Sequence, residues 1–275
     1  VRSGALGRDQ ARWSIRDEAL LLESLEQVVF SRLAKLTPEA HTLAQNLALL
    51  ERGVSSALAE SLGDVRCIDE LLGAGFLERG LDGRLAFVHD RLRETTAASI
   101  DDDALPARHA RLVEVLEEVD GLYPGELAHH LLRAGEHERA LRALLEIARE
   151  PTVQNAQPHR ALSCYREIIT LDESHALLDP HQRADVEVER VRLMSFAGDK
   201  MEAIETARAL LEKSLAPSHE LELWWCLAHS TLAIGEIGPA WEALGHALRL
   251  WEDGLEIADC QDLGGRLHWL HGYML

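Results

Sequence analysis

Histidine gives this chain most of its potential chemistry, with 14 residues against four cysteines in 275. His137-Glu138 and His219-Glu220 open like a helical zinc-protease motif. That motif needs a second histidine four positions on, to share one metal from the same helix face. Leu141 and Leu223 stand there instead. His129-His130 are adjacent, and His268 and His271 have the i, i+3 spacing that lets two imidazoles reach one ion. No carboxylate or cysteine is placed beside them by pattern, so packing or solvent exposure is their expected role and no metal site is expected. Asp101-Asp102-Asp103 reads as a helix end and linker. No GxxxxGK[ST] phosphate loop is present, because none of the lysines, Lys35, Lys200 and Lys213, follows the required glycines. There is no GxGxxG, and no serine, cysteine and histidine share a nucleophile's spacing. Cys67, Cys164, Cys226 and Cys260 are scattered without CxxC, which suits reduced thiols. The chain is therefore expected to be non-catalytic and to hold no cofactor alone.

Aromatic residues offer a second kind of chemistry, recognition. Trp224, Trp225, Trp241, Trp251 and Trp269 fall within the last 52 residues. The first four are candidate protein-binding residues, since concave faces of helical repeats grip peptides with aromatics. The same residues equally serve to fill gaps between helices. Trp224 and Trp225 point about 100° apart on a helix and cannot both face one pocket.

Charge bounds the partners. The formal net charge is −19, which argues against coating nucleic acid or an anionic membrane surface. Residues 1–100 carry 12 basic and 15 acidic side chains, whereas 101–275 carry 16 and 32. The acidic part reads either as solvated helix faces or as a surface selecting basic partners. No apolar run approaches the length of a membrane span, and Val1 to Gly7 lack a secretory pattern. A cytoplasmic location is expected.

Three segments follow: a lead-in over 1–19, a first domain over 20–104 and a second over 105–275. In the first, apolar residues from Leu21 to Leu36 recur at helical spacing. Thr37-Pro38-Glu39 then starts a new helix, with threonine as N-cap and proline at the first helical position. Short helices are expected around Ser55–Leu62 and Cys67–Ala74. Residues 75–80 and 84–89 flank Asp82-Gly83, a hairpin signal. Three helices and a hairpin predict a winged helix, with a further helix from Asp90 to Ile100. The helix that would read DNA carries Asp69 and Glu70 and no basic residue, so DNA binding is not expected.

The second segment repeats. Gly135, Gly198 and Gly235 each precede by five residues an alanine, Ala140, Ala203 or Ala240, and Ala161 heads a similar helix. The alanines are spaced 21, 42 and 37 residues apart. The longer spacings suit tetratricopeptide-like helical hairpins, and the short one marks an irregular or lost hairpin. The expected fold class is thus mainly α: a winged helix with a short β-hairpin, then an α-solenoid of tetratricopeptide-like hairpins. The Val1 start and the run His268-Trp269-Leu270-His271 inside a further helix read as marks of a fragment truncated at its C-terminus.

This order resembles the arm of a STAND-type signalling ATPase, as in bacterial members fused to a Ser/Thr kinase or a transcriptional regulator. Ser24 to Glu39 is similar to the link from ATPase lid to winged helix. Leu71 to Arg79 with Phe87 to Glu94 is similar to the winged helix itself, and Glu126 to Glu136 to a first repeat. Val88-His89-Asp90 resembles the Met-His-Asp signature of that class, with Val in place of Met. The resemblance implies that His89 donates to a nucleotide phosphate, within a longer chain whose upstream nucleotide-binding domain holds ATP or ADP. It also implies a protein or peptide partner on the repeats, and a winged helix that couples nucleotide state to this sensor. As alternatives, the parent is a Ser/Thr kinase or ATPase with its catalytic domain elsewhere, or a transcriptional regulator with a repeat sensor.

Overall fold

The computed structural model describes residues 6–9, 12–15, 18–50, 52–118, 124–252 and 261–274. Cys260 and the residues before Leu6 lie outside them. The described residues are mainly α and divide by packing into two units, Val1–Glu136 and His137–Leu275. This division falls after Glu136, whereas the sequence pattern placed a boundary at residue 104.

The first unit opens with an antiparallel pair, β1 (Leu6–Asp9) and β2 (Arg12–Ile15), and the helix α1 (Glu18–Leu33). Then come α2 (Pro38–Ala48), α3 (Ser56–Leu62) and α4 (Val65–Gly73). The Thr37 hydroxyl accepts from the Ala40 N–H, the expected cap, and donates to Glu70 on α4 at 2.7 Å. The Thr37 N–H donates to the same carboxylate at 2.8 Å. These bonds, the hydroxyl's first, hold the Glu70 carboxyl below its ordinary pKa. A residue read as repelling DNA thus fastens α4 to the start of α2. Arg32 of α1 donates to the carbonyls of Ala74 and Gly75 and lies over the Phe76 ring at 4.9 Å. That arginine satisfies the carbonyl end of α4.

The hairpin pairs β3 (Leu77–Arg79) with β4 (Leu85–Phe87). Its loop spans residues 80–84, and Gly83 takes the positive φ of 78° that the turn requires. An isolated bridge joins Val54 to Leu85. Beyond the hairpin lie α5 (Asp90–Ala98), a short 3₁₀ turn at Asp102–Ala104, α6 (Leu105–Glu117) and α7 (Pro124–Arg133). Leu112, Val115 and Leu116 of α6 join Leu43, Leu47, Leu71 and Phe76 in one apolar core, which explains why the unit extends past residue 104. Arg108 of α6 donates to Gln45 and Asn46, two largely buried polar side chains of α2, and satisfies them.

The second unit begins with α8 (His137–Arg149), α9 (Pro151–Ala156) and α10 (Pro158–His175). The hairpins α11 (Pro180–Ala197) with α12 (Lys200–Leu211), and α13 (Pro217–Ala233) with α14 (Ile237–Glu252), follow. The last helix, α15 (Gln261–Met274), packs on α14 and α13. All four marker alanines are buried. The 21-residue spacing has a direct cause: the six-residue α9 stands where a full first helix would be, and α8 packs on α10. Gly198 ends α11 with φ 107°, a conformation that costs other residues but not glycine. No described helix is long and apolar enough to cross a membrane.

Candidate functional site

One concavity of the second unit runs along α8 and α11. Glu138, Leu141, Arg142, Leu145 and Arg149 recur at three- and four-residue steps and so share one face of α8. Leu177, Leu178, Gln182, Asp185 and Val186 form the facing wall, enclosing about 440 Å³. A second hollow of about 230 Å³ continues from Asp185 along Val188, Glu189 and Arg192 to Ser218, His219 and Glu222 of α13. Asp185 lines both, so the two hollows adjoin at this residue, and together they are called the α8–α11–α13 groove. Its floor is apolar and its rim carries both signs of charge.

The wall is held rigidly. Asp172 of α10 accepts from the Leu178 N–H at 2.7 Å and from Arg183 at 2.6 Å. Burial works to raise that carboxyl's pKa, but the Leu178 and Arg183 bonds outweigh it and the net shift is downward. Asp179 then starts α11 with a reciprocal capping box with Gln182. Further along, one oxygen of Glu189 accepts from the buried Tyr165 hydroxyl at 2.9 Å and from Arg149 at 3.0 Å. Burial first, then the neighbouring Glu189 charge, pushes the Tyr165 phenol above its usual range. Glu222 is gripped by both Nη atoms of Arg266 at 3.0 and 3.1 Å, a geometry only a guanidinium offers.

At Asp185, the residue the two hollows share, three ligand-type side chains converge. His181 Nδ1 lies 3.2 Å from one oxygen of Asp185, and His219 Nε2 lies 2.7 Å from the other. All three donor atoms fall within 4.8 Å of one another. His181 and Asp185 are one helical turn apart on α11, and His219 comes from α13. The expectation of no metal site rested on pattern within single helices, and this group spans two. The available signal was the repeat itself: positions 181 and 219 sit just inside the starts of consecutive first helices, about one period apart. His129-His130 and His268/His271 join no such group among the described residues.

Of the tryptophans, Trp224 stacks on His246 at 4.2 Å and lines a separate groove of about 450 Å³ between α12, α13 and α14. Trp225 is buried against Phe196 of α11 and His229, under the Arg266 guanidinium at 4.7 Å. The adjacent pair thus turns to different sides. Trp241 meets His271 edge-on, and Trp251 packs so close to Gly264 that an added Cβ would lie 2.6 Å from its ring. None of the four lines the α8–α11–α13 groove.

His89 is exposed in extended backbone at the end of β4, in the N-cap position of α5, and its side chain makes no cap hydrogen bond. Elsewhere in the first unit, buried His109 and His130 meet Nδ1 to Nδ1 at 2.8 Å. Ser195 and His229 of the second unit also pair at 2.8 Å, and Ser230 donates to the Ser195 hydroxyl. As a nucleophile and base that pair would need access, but Ser195 is fully buried.

No family model matches this chain, and no curated protein matches it. Among solved structures it is similar to the crystal structure of a Signal Transduction ATPase with Numerous Domains (STAND) protein with a tetratricopeptide repeat sensor, from Pyrococcus horikoshii. The identity is 15% and the TM-score 0.46, over 87% of this chain but 35% of that one.

Proposed function

We propose that residues 1–275 are a non-catalytic regulatory arm of a larger, cytosolic signalling ATPase of STAND type. In this reading α2, α3, α4 and the β3–β4 hairpin act as a winged helix, and the second unit is the sensor. The observation that carries it is the α8–α11–α13 groove. An apolar floor of Leu141, Leu145, Leu178 and Val186, edged by paired charges, fits an extended peptide of a protein partner. His89, exposed at the end of the hairpin and free of a capping bond, is available to a phosphate oxygen of nucleotide held by an upstream domain. Partner binding in the groove would favour one of two states of the parent by differential affinity.

Two measurements test this. Residues 1–275 should show no ATP turnover above buffer, and sustained turnover would refute the non-catalytic reading. In the parent protein, His89→Ala should raise basal activity, within the roughly 5- to 150-fold range of typical allosteric coupling. An unchanged basal level would make His89 a structural residue.

A further inference from the structure

We propose that His181, Asp185 and His219 form a binding site for a divalent transition-metal ion, zinc by chemistry, in the groove of the second unit. The proposal stands on geometry in this chain and does not rest on the ATPase reading. Two imidazoles and a carboxylate are a ligand set suited to zinc, copper or iron, whereas calcium and magnesium take oxygen donors. With metal–nitrogen bonds of about 2.0–2.1 Å in a tetrahedron, donor atoms lie about 3.3 Å apart. The 3.2 Å and 2.7 Å contacts are to different oxygens of Asp185, and the three donor atoms lie within 4.8 Å of one another, so a small turn of the carboxylate and of His219 brings one oxygen and both imidazoles to that spacing.

The protein also fixes which atoms can bind. His219 Nδ1 is buried without a hydrogen-bond partner among the described residues, so Nε2 is the atom that faces the groove. Asp185 is held on α11 between the two histidines, and His181 stands outermost with its side chain 72% exposed. Three protein ligands on one side leave a coordination position open to solvent. Two terms set the affinity. The Asp185 charge favours a cation, while the starts of α11 and α13 bring partial positive charge close by. The site should therefore hold zinc less tightly than a closed, four-ligand structural site. Bound metal would tie α11 to α13 and turn the single negative charge of this group into a net positive one.

The test is a zinc titration of residues 1–275 against a chromophoric chelator at neutral pH. It compares the unmodified chain with His181→Ala, Asp185→Asn and His219→Ala, and with a His268→Ala/His271→Ala control. One ion per chain should bind most tightly. Each of the three variants should weaken it by more than about tenfold, the lower end of what loss of even an outer-shell partner costs. The control should leave it unchanged. Cobalt should give visible absorption bands that vanish with the same three variants. His181→Ala alters an exposed side chain and so keeps the fold, which circular dichroism checks. No saturable binding below millimolar zinc, or equal affinity with and without His181, would overturn the proposal.

Discussion

The two units put the same residue type to opposite use. In the first, His109 and His130 are withdrawn from water and pair Nδ1 to Nδ1, leaving His130 Nε2 buried without a partner among the described residues. In the second, His181 and His219 meet a carboxylate at the wall of an open groove. The neighbours decide the difference, since His219 is itself buried. A pair of imidazoles away from solvent can share one hydrogen bond only while at least one ring offers a lone pair, so the two rings must not both be imidazolium. Imidazoles beside a carboxylate in a groove keep their donor atoms within reach of an ion or a partner. Histidine count therefore says little about function, and the neighbour set says much.

The largest expected effect lies in acid stability of the first unit. Burial, with His129 and Arg133 adding to it, brings His109 down to about 4 from the ordinary 6.5. Burial, then His109 and His129, brings His130 down to about 3. Both folded values are depressed, so the unfolded chain takes up protons more readily. Their contribution is complete above pH 6.5 and is lost as pH falls toward 4 and 3. Urea unfolding followed by circular dichroism should show stability declining through that window. A His109→Leu/His130→Leu double variant, which removes both partners at once, should flatten the decline. His229 of the second unit, held at about 4 by burial first and then by Lys200 and Arg266, should leave a smaller residual slope. An unchanged slope in the double variant would erase the contrast between the units.

A smaller effect sharpens the second side of the comparison. Arg266→Met removes the two-point grip on Glu222 and the cover over Trp225, and should cost about 1.5–3 kcal/mol, typical of hydrogen bonds to charged groups. Smallest of all, Arg111→Ala breaks an exposed pair with Glu114 one turn away and should change stability by less than about 0.5 kcal/mol.

Much of the fold was legible because its signals are local. The Thr37-Pro38 cap, the Asp82-Gly83 turn and the alanine markers each depend on residues a few positions apart. The irregular hairpin was visible as a short spacing, although its form, a six-residue α9, was not. The three-residue group at Asp185 was not legible, because it joins a helical pair, His181 and Asp185, to a residue one repeat later. Neither was the grip of Thr37 on Glu70. Search within one helix could not find partners that packing brings together, and comparison of equivalent positions in successive hairpins would have. The tryptophans drew attention through their number, yet the second unit spends them mainly on stacking and burial.

The contrast between sequestered and presented histidines is tested most directly by long-range ¹H–¹⁵N spectra of the histidine rings in residues 1–275, recorded against pH and then against zinc. The account predicts that His109 and His130 stay neutral at pH 5 and do not respond to one equivalent of zinc, whereas His181 and His219 shift together and saturate. If His109 and His130 titrate near 6.5, or if zinc moves them before His181 and His219, the account is wrong.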